Sequence, residues 1–280
     1  MEDRPIIKKL AEFGSFSIGS VYLLIGVIAI LSLFGEAEDD ADEERIVDFL
    51  LDLPLGEVLI TLIILGLVGY IIWRVFEAFK DPYNFGSDWK GLGKRAGIAL
   101  SASGYAIIAF SAAQVLIGEG GNGEEDQQVM VAQVLNWKAG PWIIGVVGLI
   151  TIFAGIVQFK FVIQGDYNKR LDIDHFTSNQ LKGVHTLAYA GYFARGIILL
   201  VLGYFFMRAA INLDPEAVGD TDSAFDFIGG GWLGNIFFFV VAAGTISYGF
   251  LMFIFGLHYK FEKGDDNSYK EENEKIKNIY

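Results

Sequence analysis

The sequence predicts an all-α membrane protein with six transmembrane helices, arranged as three tandem hairpin repeats with pseudo-threefold symmetry. Three observations predict this fold: six long apolar segments, basic residues in alternate loops, and small residues that recur at matching positions. Hydrophobic residues make up 53% of the 280 residues, above the roughly 45–50% of soluble domains. We expect one membrane domain over residues 1–280, with repeats at about 8–90, 91–180 and 181–260 and a charged cytoplasmic tail at 261–280.

Each of the six apolar segments is long enough to cross a bilayer. A hydrocarbon core about 30 Å thick requires roughly 20 helical residues, since each residue rises about 1.5 Å. The segments cover residues 13–34, 55–79, 96–118, 140–163, 184–211 and 232–258. We interpret the first as a retained helix rather than a cleaved signal peptide, because it is long, lacks a small-x-small site near its end and precedes five more spans.

The basic residues indicate which loops face the cytoplasm. Seventeen of the 21 Lys and Arg residues lie at the N-terminus, around the second and fourth loops and in the C-terminal tail. Arg45 and Lys138 lie in the alternate loops, and Arg195 and Arg208 lie within the fifth segment. The positive-inside rule therefore places both termini in the cytoplasm. The alternate loops are acidic, which indicates a solvated outer face or, alternatively, a vestibule that attracts cations.

Small residues recur through the three odd-numbered segments. GSFSIGSVYLLIGVIA begins at Gly14, GIALSASGYAIIAFSA at Gly97 and GYFARGIILLVLGYFF at Gly191. Aligning these stretches also matches Gly19 with Ala102 and Gly196, Gly26 with Ala109 and Gly203, and Tyr22 with Tyr105 and Leu199. Such residues let membrane helices approach closely, so we expect the matched positions to lie where helices meet.

The even-numbered segments repeat in the same way. The matched sets are Gly56, Gly140 and Gly234; Gly66, Ile150 and Gly244; and Tyr70, Ala154 and Tyr248. The stretches RIVDFLLDLP, VMVAQVLNW and SAFDFIGG precede these segments and predict short helices on the outer membrane surface. Since each copy crosses the membrane twice, the three copies share one orientation. Parallel repeats imply an axis along the membrane normal, and three of them predict a ring of hairpins.

These repeats resemble a known bacterial family, the domain of unknown function 1206. The resemblance rests on GYFARG at 191–196, on GSFSIGSVY at 14–22, and on the surface stretch and glycine before each even span. It covers roughly residues 8–260 and implies three tandem helix pairs in the bacterial cytoplasmic membrane, without an established activity. Members often carry the arginine-glycine pair in several copies. Here the third copy alone has it, since Ile18 and Ser101 occupy the positions that match Arg195.

Arg195 is the main candidate for a working residue, because it lies about eleven residues into the fifth span. A charge at that depth costs several kcal/mol unless it is paired or hydrated. Either carbonyls, tyrosine hydroxyls or a lipid headgroup hold it structurally, or it lines a water-filled path or an anion site. Further candidate interior or lining residues are Tyr22, Tyr70, Tyr105, Tyr192, Tyr248, Gln114 and Gln158. Arg74 and Glu77 share a helix face and predict an ion pair.

The sequence offers little for catalysis or for binding a cofactor. It contains no cysteine, and no catalytic motif, Walker loop or metal-binding signature is present. The net charge of −13 argues against a nucleic-acid partner. We therefore expect no enzyme activity, no cofactor and no metal. The best interpretation is an accessory or scaffolding protein of the lipid bilayer, with a membrane or cytoplasmic protein as partner. The alternative is a passive pore or uncoupled facilitator for a small solute or ion along the pseudo-threefold axis.

Overall fold

The chain folds into a bundle of long helices. The structure, a computed structural model, describes residues 4–33, 56–81, 86–117, 123–165, 167, 168, 171 and 176–258. The α-helices among these residues are α1 (Arg4–Leu33), α2 (Gly56–Lys80), α3 (Trp89–Leu116), α4 (Gly123–Leu135), α5 (Gly140–Ile163), α6 (Ser178–Asn212), α7 (Thr221–Ile228) and α8 (Gly231–Leu257), with a 3₁₀ turn at Pro215–Ala217.

Five of the described helices are long and apolar enough to cross a membrane: α1 from Lys9 onward, α2, α5, α6 and α8. The chain is therefore a helical membrane protein. The third predicted span falls on α3, which is a helix of 28 residues but is not among these five. Two of the predicted surface stretches are helical, in α4 and α7, and RIVDFLLDLP lies outside the described residues.

The long helices pack in an order that follows the repeats. Hairpin one is α1 with α2, hairpin two is α3 with α5, and hairpin three is α6 with α8. Among the described residues, contacts join α3 to α2, α2 to α1, α1 to α8, α8 to α6 and α6 to α5. The first helix of each repeat thus contacts the second helix of the repeat before it. For α1, the repeat before it is the third, so α1 contacts α8.

In hairpins one and three, the two helices pack against each other through the same contact, and we call such a hairpin closed. A Cβ atom added to Gly14 of α1 would lie 2.8 Å from the Cα atom of Tyr70 on α2. At the matching place in hairpin three, a Cβ on Gly191 of α6 would lie 2.7 Å from the Cα of Tyr248 on α8. No larger residue fits either crossing without a backbone shift. The repeat glycines therefore permit the backbone approach that packs helices in lipid.

The contacts between repeats also depend on glycine pairs. Where α1 crosses α8, a Cβ on Gly249 would lie 2.7 Å from the carbonyl oxygen of Gly19. Where α5 crosses α6, a Cβ on Gly155 would lie 2.9 Å from the carbonyl oxygen of Gly196. These two pairs occupy matching repeat positions, so the recurrence seen in the sequence corresponds to two equivalent interfaces.

Hairpin two is the exception. No described atom lies within 4 Å of the position that a Cβ on Gly97 of α3 would take. The described parts of α3 and α5 do not pack along one another, although α3 follows α2 and α5 follows α6. The packing of two hairpins therefore repeats, and a pseudo-threefold ring stays a prediction.

The outer surface of the bundle is apolar, as a lipid-facing surface requires. On α5, the exposed side chains include Trp142, Leu149 and Phe153, while the buried stripe consists mainly of glycines and Ile144.

At the end of α2, the Arg95 guanidinium donates to the carbonyl oxygens of Ala78 and Phe79, at 2.7 and 3.0 Å. These bonds satisfy carbonyls that the helix itself leaves free.

Candidate functional site

Arg195 lies at the midpoint of the longest described helix. It comes seventeen residues after Ser178 and seventeen before Asn212, the two ends of α6. At about 1.5 Å per residue it is therefore roughly 25 Å along the helix from either end. Arg195 therefore lies at the middle of a helix that is long and apolar enough to cross a membrane, and its depth in the membrane stays a prediction. The side chain is partly exposed, whereas its Nε atom is buried.

Three tyrosines from three different helices surround the guanidinium of Arg195. Its Cζ atom lies 5.2 Å from the ring centre of Tyr22 on α1, 5.5 Å from that of Tyr105 on α3 and 4.9 Å from that of Tyr248 on α8. Its Nη1 atom also donates a hydrogen bond to the Tyr248 hydroxyl. Each ring contact of this kind contributes about 0.5–2 kcal/mol. The cluster therefore joins all three hairpins.

The tyrosines form two matching edge-to-face pairs. Tyr22 and Tyr248 lie 4.8 Å apart between ring centres at 75°, and Tyr70 and Tyr105 lie 5.1 Å apart at 85°. Each pair joins the first helix of one repeat to the second helix of the preceding repeat. The third pair in this series would consist of Leu199 and Ala154, which are not aromatic.

Tyr192 extends this cluster toward α5. Its ring centre lies 5.4 Å from that of Tyr248 and 5.1 Å from that of Phe161. The structure thus brings Arg195 together with all five tyrosines named as candidates, either directly or through one intervening ring. The recurrence of Tyr22 with Tyr105, and of Tyr70 with Tyr248, was the sequence signal for this arrangement.

Arg74 and Glu77 lie beside the same cluster and form an ion pair. The Nη1 atom of Arg74 is 2.8 Å from Oε2 of Glu77, whose side chain is fully buried. The guanidinium of Arg74 also lies 4.8 Å from the ring centre of Tyr70. A buried carboxylate next to one arginine keeps that charge compensated. The pair therefore has a clear structural role in hairpin one.

The two intramembrane amides are not part of this cluster. Gln114 on α3 and Gln158 on α5 are partly exposed, and neither forms a hydrogen bond with another described residue. The expectation that they bridge helices therefore has no support from the described contacts.

A second group of aromatic contacts lies near the start of α6 and the end of α8, and sequence reasoning missed it. The Tyr167 hydroxyl and Nδ1 of His185 are 2.6 Å apart, and the His185 ring centre is 4.3 Å from that of Tyr189. The ring of His258 lies 4.7 Å from that of Phe176. Only the four-residue spacing of His185 and Tyr189 is visible in the sequence. Among the described residues, no three His, Asp or Glu side chains are grouped as metal ligands.

Comparison with known proteins agrees with the repeat architecture. The model of the family described as Domain of Unknown Function (DUF1206) matches residues 13–81, 96–160 and 190–258. This chain belongs to the DUF1206 family. The three matched stretches correspond to the three hairpins of the bundle. The Arg195–tyrosine cluster therefore takes one or more residues from every DUF1206 repeat.

A relative of similar length supports this assignment. The chain is 31% identical over 264 residues to YxxB, an uncharacterized protein of Bacillus subtilis (strain 168), and the match covers 94% of this chain and 95% of that protein. No solved structure matches the chain significantly.

Proposed function

We propose that this DUF1206 protein is a non-enzymatic accessory or scaffolding protein of the bacterial cytoplasmic membrane, with both termini in the cytoplasm. It binds a transmembrane helix of a partner protein at the side left open between α3 and α5. One observation carries this proposal: no described atom lies within 4 Å of the added Cβ position of Gly97, whereas tyrosine backbones lie against the matching Gly14 and Gly191. The open side is thus the place where an intramolecular contact of the other hairpins is missing.

The chemistry of this side suits another helix. Gly93 and Gly97 lie four residues apart on α3, and neither has a described neighbour within 4 Å of its added Cβ. In lipid, helices associate through close packing at such small residues rather than through the hydrophobic effect. A partner helix that packs between α3 and α5 would therefore contact α3 at the face where α2 contacts α1 and where α8 contacts α6.

Site-specific photo-crosslinking tests this proposal. A photoreactive amino acid replaces Ala154 on α5, the position matching Tyr70 and Tyr248, and irradiation is carried out in native membranes. Leu65, which is 55% exposed on α2, carries the same group in the control variant. We expect a discrete adduct at position 154 whose cross-linked peptide is a transmembrane segment of another protein, and lipid adducts alone at position 65.

Three other outcomes at position 154 would contradict the proposal. Lipid adducts alone would show that nothing covers the open side. An adduct to α3 of the same chain would show that hairpin two closes on itself. An adduct to a second copy would make the chain its own partner rather than an accessory protein.

A passive pore or uncoupled facilitator is the second candidate, since Arg195 keeps part of its surface exposed at mid-depth. The chain has no cysteine, so single cysteines at Arg195, Ser101 and Ile18 can be tested with a membrane-impermeant thiol reagent from each side. A pore requires labelling at these three matching positions. Ile18 is fully buried, so we expect it to stay unlabelled while loop cysteines react.

A further inference from the structure

Two buried polar atoms in the central cluster make no hydrogen bond of normal distance and angle with the described residues. These are the Nε atom of Arg195 and the hydroxyl of Tyr105, which are both inaccessible to solvent. Tyr105 is 3% exposed overall. An unpaired buried donor costs about 1–3 kcal/mol. Two such donors at one site therefore call for an acceptor that the described residues do not supply.

The charge of Arg195 is also uncompensated within the described part of the chain. Arg74 has the carboxylate of Glu77 at 2.8 Å, but no described Asp or Glu pairs with Arg195. Its partners are one tyrosine hydroxyl and three tyrosine rings. These are neutral groups, and a charge near mid-membrane is costly unless an opposite charge or water accompanies it.

We propose that Arg195 and Tyr105 form a binding site for one small monovalent anion, a halide or a carboxylate, at the centre of the bundle. The anion accepts hydrogen bonds from Nε of Arg195 and from the Tyr105 hydroxyl, and it balances the guanidinium charge. The rings of Tyr22 and Tyr248 pack on the same guanidinium, so we expect the ligand to be small. The site goes beyond the proposed function, because it requires neither a protein partner nor transport.

The test uses the full-length protein in nanodiscs of zwitterionic lipid, in a buffer whose only other anion is gluconate. Formate is titrated and its binding is followed by saturation-transfer NMR of the formate proton, and chloride is then added as a competitor. We expect a saturable signal that chloride displaces. Arg195→Gln should abolish it, and Tyr105→Phe should weaken binding roughly 5- to 10-fold, since one hydrogen bond is lost.

Tyr204→Phe is the matched control, because Tyr204 lies on the same helix as Arg195 but is 46% exposed and contacts Phe205 and Phe227 rather than the cluster. This variant should bind formate as the parent protein does. A folded parent protein without a saturable formate signal would overturn the proposal, and so would an unchanged affinity in Tyr105→Phe. If Arg195→Gln does not fold, Tyr105→Phe decides the question, since it removes one unpaired hydroxyl and no packing.

Discussion

The first and third hairpins close through one shared contact, and the second hairpin stays open. In the closed hairpins, Gly14 and Gly191 lie against the backbones of Tyr70 and Tyr248, while no described atom lies within 4 Å of the added Cβ position of Gly97 in the open hairpin. The difference shows that the repeat glycines act in pairs with the residues facing them. A glycine that recurs in the repeat does not by itself produce a close helix crossing, because the residue that faces it on the second helix must also be kept.

In the second hairpin, Ala154 stands where Tyr70 and Tyr248 face the glycine, and the position one turn earlier also changes. Ile150 stands where the closed hairpins have Gly66 and Gly244, and Gly66 and Gly244 pack against side chains of Ser17 and Ala194. The larger Ile150 side chain, which is 40% exposed, would prevent α3 from approaching α5 in the same way. The open side is thus a consequence of a substitution that is visible in the sequence.

The largest expected effect lies on the closed side, at Glu77. Glu77→Ala leaves the guanidinium of Arg74 without its buried partner, and removal of one member of such a pair costs about 3–5 kcal/mol. We expect the free energy of unfolding to fall by that amount in a denaturant titration in mixed micelles. Glu57→Ala, on the exposed start of α2, should change stability by less than about 0.5 kcal/mol.

A double variant sharpens this result. Arg74→Met with Glu77→Phe copies Met252 and Phe255, which occupy the matching positions of hairpin three. Replacing a buried ion pair by apolar residues is often neutral or stabilising, so this variant should regain most of the lost stability. Continued instability of the double variant would show that hairpins one and three are less alike than their crossings indicate.

Two of the tyrosines around Arg195, Tyr248 and Tyr105, should respond differently to loss of their hydroxyls. Tyr248→Phe removes the hydroxyl that accepts a hydrogen bond from Arg195, and bonds to charged groups contribute about 1.5–3 kcal/mol. Tyr105→Phe removes a hydroxyl with no described partner, so in anion-free buffer it should leave the unfolding free energy nearly unchanged. Equal losses for both variants in that buffer would contradict the assignment of partners.

Glycines at which two helix backbones cross should be more sensitive to substitution than interface glycines that have more space around them. A methyl group on Gly249 would lie 2.7 Å from the Gly19 carbonyl oxygen, whereas one on Gly145 would lie 3.7 Å from Cβ of Ala210. Overpacking of this kind costs about 1–3 kcal/mol, so Gly249→Ala should lower the thermal unfolding midpoint in detergent. Gly145→Ala should leave that midpoint unchanged or raise it, because alanine favours helices.

Much of the fold could be predicted from the sequence, because length and hydropathy alone determine spans. The fourth predicted segment, 140–163, has the bounds of α5, and the sixth differs from α8 by one residue at each end. The third was harder, since α3 begins at Trp89 rather than near residue 96. The first two turns of α3 contain basic and small residues, which lower their hydropathy, so a hydropathy scan begins the span later.

The sequence predicted which residues belong to the candidate site, but it did not predict which of them contact one another. Depth indicated Arg195, and repetition indicated Tyr22, Tyr105 and Tyr248. No pattern along the chain shows that α3, α8 and α1 all reach the same guanidinium, because these contacts depend on helix order and rotation. For the same reason, Gln114 and Gln158 resembled bridging residues although neither contacts the cluster through a hydrogen bond.

One substitution made at three matching positions tests the central claim most directly. Gly14→Ala, Gly97→Ala and Gly191→Ala are compared by their free energies of unfolding under identical conditions. Gly14→Ala and Gly191→Ala should each lose about 1–3 kcal/mol, because their methyl groups would meet the Tyr70 and Tyr248 backbones. Gly97→Ala should be neutral or gain up to about 1 kcal/mol from helix propensity. A loss at Gly97 equal to the other two would show that hairpin two is closed, and would contradict the account.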